Sequence, residues 1–141
     1  MIAYLDASVL LRIVLREPNP LAEWDQLQVG VTSHLTRIEA ARVIDRLTVL
    51  SVLQDEEIAE KYAEVADILS RVDTMRIDDT VLARAGAPLP TVLGTLDAIH
   101  LASAAIYREA QPNDEPPIVF ATHDRALATA ARALRFRVIG A

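Results

Sequence analysis

The chain has 141 residues, a formal net charge of −6 and no cysteine, with 52% hydrophobic residues and a mean hydropathy of +0.23. That length suits one domain with an ample apolar core, and the missing thiols exclude disulfides, thiolate zinc sites, iron–sulfur clusters and cysteine nucleophiles. The acidic balance excludes nucleic-acid binding by bulk attraction, and because Lys61 is the only lysine, local recognition of phosphate or carboxylate falls to arginine.

In chain order, Ile2 to Leu5 predicts a strand ending at Asp6, and Ser8 reads as the N-cap of an amphipathic helix, Val9 to Arg16, that Pro18 stops. Asn19-Pro20 opens a short helix over Leu21 to Leu27, Val29 to Thr32 predicts a strand, and Leu35 to Leu53 has helical periodicity. Asp55-Glu-Glu is the charged first turn of a helix to about Arg71, Thr74 to Ile77 reads as a strand, and Asp78-Asp79 caps a short helix to Ala85. Pro88 and Pro90 break the chain before Thr95 caps a helix from Leu96 to about Arg108. A polar loop over Gln111 to Pro117 then leads to a strand Ile118 to Thr122, a helix Arg125 to Leu134 and a last strand Phe136 to Ile139.

Strands that alternate with helices and read as continuous apolar runs predict an α/β protein with a parallel sheet covered on both faces. Four glycines leave no Gly-rich phosphate loop of the P-loop or dinucleotide type. No segment approaches the roughly 18 uncharged apolar residues of a membrane span, and the N-terminus lacks a signal-peptide pattern. The expectation is a cytoplasmic protein with no membrane partner.

In open parallel sheets ligands bind beyond the carboxyl ends of the strands, and four acids fall there. Asp6 directly follows Ile2 to Leu5, Glu39 is early in the helix after Val29 to Thr32, Asp97 begins its helix, and Asp124 lies two residues past Thr122. Leu35, Val43 and Leu47 place apolar side chains on both sides of Glu39, so its carboxylate must face something polar. Asp97 heads a stripe with Leu101 and Ala105, and His100 is its neighbour on the helix surface.

Each acid also has a plain structural reading. Asp6 and Asp124 suit strand ends or caps, Asp97 suits the first turn of a helix, and Glu39 could pair with Arg42 or Arg46. Taken together they repel by about 4 kcal/mol per close pair at an effective dielectric of about 20, so the cluster calls for a cation. An all-oxygen donor set points to Mg²⁺ or Mn²⁺ in place of zinc. His34, His100 and His123 lack metal-site spacing; surface or packing roles are the plain reading, preferred for His34.

The strings Tyr4-Leu-Asp-Ala-Ser8, Thr36-Arg-Ile-Glu-Ala-Ala41, Thr95-Leu-Asp-Ala-Ile-His-Leu-Ala-Ser103 and Ala121-Thr-His-Asp-Arg-Ala-Leu127 occur in that order over the whole chain. In these the sequence resembles the PIN-domain ribonucleases, and within them the toxin of VapBC-type toxin–antitoxin pairs. The resemblance implies one PIN-like domain over residues 1–141, an α/β/α sandwich around a central parallel sheet. It implies a metal-dependent endoribonuclease that cleaves cellular RNA and is restrained by a cognate antitoxin. Asp6, Glu39, Asp97 and Asp124 are then the metal-binding acids, with Ser8 and Thr122 as hydroxyl neighbours that orient water or a carboxylate. A guanidinium neutralises paired carboxylates well, so the antitoxin is expected to carry a basic tail.

Three other readings are weaker. A receiver-type signalling domain needs a lysine after a late strand, yet Lys61 lies inside a predicted helix. A haloacid-dehalogenase-like phosphatase needs an acid where Ser8 stands. A catalytically inactive PIN-like binding module would have no use for the retained acids. Finally, Leu47 to Leu53 is apolar almost all round, which together with the apolar content predicts a homodimer.

Overall fold

The computed structural model describes residues 1–111 and 117–141, so most of the loop expected over Gln111 to Pro117 lies outside the described residues. Five strands, β1 (Ile2–Leu5), β2 (Val29–Ser33), β3 (Asp73–Met75), β4 (Val119–Ala121) and β5 (Arg137–Ile139), form one sheet in the order β3-β2-β1-β4-β5. All four pairings are parallel. Six helices connect them: α1 (Ala7–Val14), α2 (Leu35–Val49), α3 (Asp55–Ser70), α4 (Asp79–Gly86), α5 (Thr95–Glu109) and α6 (Arg125–Ala133). The expected α/β/α sandwich with a central parallel sheet is the observed one.

The continuous apolar strands are explained by two cores. Ala3, Leu5, Val119 and Ala121 face one side and pack with Val9, Leu10 and Val14 of α1, Ala40 and Ile44 of α2, and Val65 and Leu69 of α3. Tyr4, Val31 and Phe120 face the other and pack with Leu101 and Ala104 of α5 and Leu127, Ala130 and Ala131 of α6. Successive strand residues thus supply opposite layers. Gly30 allows the first layer to close, because a Cβ there would come within 2.9 Å of Val72 and 3.0 Å of Leu5.

Local differences from the sequence reading have local causes. Leu21 to Leu27 contains only a single 3₁₀ turn, Trp24–Gln26. Helix α2 stops at Val49 rather than Leu53, where Ser51 takes a left-handed φ of 54°. Ser8 does not cap α1: Asp6 occupies the N-cap position, and the Ser8 hydroxyl is turned to the Asp6 carboxylate. Likewise Gly94, not Thr95, is the N-cap residue of α5.

Candidate active site

Strand β1 lies between β2 and β4, so its carboxyl end is the middle of the sheet edge. Asp6 follows it immediately and is held there by its own N–H, which donates to the Ala121 carbonyl at 3.0 Å. Its carboxylate is buried, with 5% of the residue exposed. Two hydroxyls donate to the same oxygen, Oδ2: Ser8 Oγ at 2.5 Å and Thr122 Oγ1 at 2.8 Å. Both hydroxyls are themselves anchored, since Ser8 Oγ accepts from the His123 N–H and Thr122 Oγ1 from the Asp124 N–H, each at 2.9 Å. This web leaves Asp6 Oδ1, 3.7 Å from His100 Nε2, with no hydrogen bond among the described residues.

Helix α2 is fastened to β1 by a buried hydroxyl pair. Thr32 Oγ1 donates to the Leu5 carbonyl at 2.7 Å and meets Thr36 Oγ1 at 2.7 Å. Glu39, one turn further on, does not pair with Arg42 or Arg46; its Oε2 lies 2.6 Å from His100 Nε2. Arg42 pairs instead with Asp45 at 2.5 Å, and Asp45 also accepts from Tyr62 Oη at 2.8 Å. Asp45 thereby ties α2 to α3 on the surface.

Asp97 occupies the first turn of α5, as expected. Burial pushes its pKa up from the ordinary carboxylate value, and the negative charges of Asp124, Asp6 and Glu39 push the same way, against an opposing contribution from His100. Asp124 does serve as a cap: Oδ1 accepts from the Leu127 N–H at 2.8 Å at the start of α6. Its other oxygen is free of that bond, so the capping role and a ligand role are compatible.

The sequence reading missed two residues behind the acids. His100 is fully buried, with Nε2 on Glu39 and 3.7 Å from Asp6 Oδ1, and Nδ1 3.0 Å from the Tyr4 hydroxyl. Burial raises the Tyr4 pKa well above the ordinary phenol value. The neighbourhood of Asp97 and His100 was visible in the sequence, but that Glu39 was the histidine's partner was not. Of the other histidines, His34 is exposed as expected, and His123 Nδ1 donates to the Gly140 carbonyl at 2.7 Å.

Among the described residues, no three acidic or imidazole side chains are drawn tightly enough together to form a finished ion site. The donor chemistry nevertheless fits a hard cation: carboxylate oxygens only, with the protein's own donors on one oxygen of Asp6, Glu39 and Asp124. An apolar groove of about 400 Å³ among Ile13, Trp24, Leu27, Ile68 and Val72 has none of the four acids in its wall.

The model of the PIN domain matches residues 3–133. Among curated proteins, ribonuclease VapC46 of Mycobacterium tuberculosis is 39% identical over 102 residues, covering 72% of each chain. Ribonuclease VapC35 of the same species is 30% identical over 141 residues, covering 96% of this chain and 94% of its own. The chain therefore belongs to the PIN-domain family. Among solved structures, a member of the VapBC family of toxin–antitoxin systems, VapBC-5 from M. tuberculosis, shares the fold with a TM-score of 0.61 and 18% identity, covering 99% of this chain and 98% of that one.

Proposed function

We propose that the chain is a single-domain, divalent-metal-dependent endoribonuclease acting on cellular RNA as the toxin of a toxin–antitoxin pair. The observation that carries this reading is the sheet edge itself, where Asp6, Glu39, Asp97 and Asp124 arrive from four separate elements of a PIN-domain chain. The relatives VapC46 and VapC35 are both named ribonucleases, which supports RNA as the substrate class.

Asp6, Glu39, Asp97 and Asp124 would hold Mg²⁺ or Mn²⁺, which when bound supplies a nucleophile at neutral pH and relieves charge on the scissile phosphate and leaving oxygen. The chain's own residues do the positioning. Ser8 and Thr122 orient Asp6 by saturating Oδ2, so its carboxylate plane is set before any ligand arrives. Asp97 brings charge to a half-buried surface already crowded with acids, which makes the pocket avid for positive charge.

The same crowding supports a cognate antitoxin polypeptide with a basic tail, whose arginine or lysine would neutralise the carboxylates near Asp6, Glu39 and Asp97. The toxin–antitoxin context of VapBC-5 supports such a partner. Self-association as a homodimer is supported by Val49, Leu50 and Val52, exposed by 83%, 64% and 59% around the end of α2. No helix among the described residues is long and apolar enough to cross a membrane, and an RNA substrate is consistent with work in the cytoplasm.

The test is incubation of the purified chain with a panel of structured RNAs plus Mg²⁺ or Mn²⁺, beside Asp6→Asn. Cleavage by the parent and not by the variant is expected. Equal cleavage by both, or none by the parent with either ion, overturns the reading.

A further inference from the structure

Resting on the metal-site reading, we infer that His100 is a positioning residue that presents Glu39 to the ion, and that Tyr4 braces the ring that does so. Glu39 stands on a helix with three rotatable side-chain bonds and only partial burial, so without a tether its carboxylate would sweep a wide arc. The tether is the 2.6 Å contact from His100 Nε2 to Oε2. A carboxylate only accepts, so Nε2 carries the proton.

The other ring nitrogen, Nδ1, lies 3.0 Å from the Tyr4 hydroxyl, which braces the ring from the sheet side. The tether therefore reaches from Tyr4 through His100 to Glu39. It engages one glutamate oxygen and leaves Oε1 for a ligand, as the hydroxyl pair does for Asp6 Oδ1.

The ring is fully buried and supported on its other side by the Tyr4–Phe120 stack, whose centroids are 5.4 Å apart. The tether is thus fixed to the sheet rather than to mobile surface. Ligand-orienting partners of this kind typically change metal affinity by about 10- to 100-fold.

The experiment measures Mn²⁺ affinity by electron paramagnetic resonance and calorimetry, with no RNA present, on the full chain and on His100→Leu, His100→Gln and Tyr4→Phe. His100→Leu is expected to weaken binding about 10-fold or more. His100→Gln, whose amide N–H can replace Nε2–H, is expected to recover to within about threefold of the parent. Tyr4→Phe should fall between them. Nitrogen-detected NMR of the metal-free parent should show a proton on His100 Nε2, a readout that survives if His100→Leu fails to fold. Parent-like affinity in folded His100→Leu, failure of folded His100→Gln to recover, or a proton on Nδ1 alone overturns the inference. Absence of Mn²⁺ binding by the parent overturns the metal reading beneath it.

Discussion

The Thr122 hydroxyl donates to Asp6 Oδ2 across 2.8 Å, although 116 positions separate the two residues. Parallel pairing of Leu5 with Ala121 brings them together, and the same hydroxyl accepts from the Asp124 N–H. One side chain thereby coordinates the orientation of two of the four acids.

Thr122→Val keeps the shape but deletes both bonds. Since Thr122 is fully buried, a stability loss of about 1–3 kcal/mol is expected in urea unfolding. Cleavage should fall about 10-fold or more, as for other residues that orient ligands. A parent-like rate would show that Ser8 alone suffices to orient Asp6.

Asp97 carries a pH dependence with a definite sign. Its raised pKa means the native state binds the proton more tightly than the unfolded chain does. The resulting stability is fully present below the ordinary carboxylate range and is lost as pH rises through the raised value. Asp97→Asn, neutral throughout, should therefore melt a few degrees higher than the metal-free parent at neutral pH, with the gain shrinking toward zero in acid. Added Mg²⁺ should reverse the order by stabilising the parent alone. Calorimetric scans across pH check both statements, and a variant that melts lower at neutral pH contradicts them.

Glu39→Gln and Asp45→Asn separate the two faces of α2. The first removes a charge held against His100 and should abolish cleavage. The second leaves cleavage unchanged and costs no more than about 1 kcal/mol, as exposed pairs do. Tyr62 provides an internal check: the Asp45 hydrogen bond raises its pKa, so ultraviolet titration of Asp45→Asn should show a phenol titrating at lower pH. Loss of cleavage in Asp45→Asn would place the functional face elsewhere.

Val49, Leu50 and Val52 form an exposed apolar group at the end of α2. Replacing all three by serine should convert a dimeric mass in light scattering at micromolar concentration to a monomeric one, with little change in melting temperature. A parent that is already monomeric removes the dimer.

The residues behind these predictions differ in how far the sequence alone disclosed them. Alternating apolar strands and helices revealed the sheet, and strand ends revealed the four acids, because both are patterns along the chain. The Ser8 cap was misread since a serine in the first turn of a helix has the same local signature whether its hydroxyl turns to backbone or to a carboxylate. Its actual partners, Asp6, Thr122 and His123, are settled by β1 lying against β4. Tyr4 and His100 were hidden for a similar reason: each looks like an apolar-core position, and their shared contact spans 96 residues. The helix predicted through Leu53 failed at Ser51, where a left-handed turn has no strong glycine marker.

The sheet order has a consequence for the chain's own synthesis. Asp6 leaves the ribosome first among the acids, but the strand that completes its side of the sheet, β4, is among the last elements made. Pairings of such large sequence separation form late, and until residues 119–123 emerge Asp6 Oδ2 lacks Thr122, and Ser8 lacks the His123 N–H that anchors its hydroxyl. Under the proposed function, the chain would then spare the messenger it is being read from until translation is nearly over. Nascent chains arrested before β4 has cleared the exit tunnel should show no RNA cleavage, and release of the completed chain should start it.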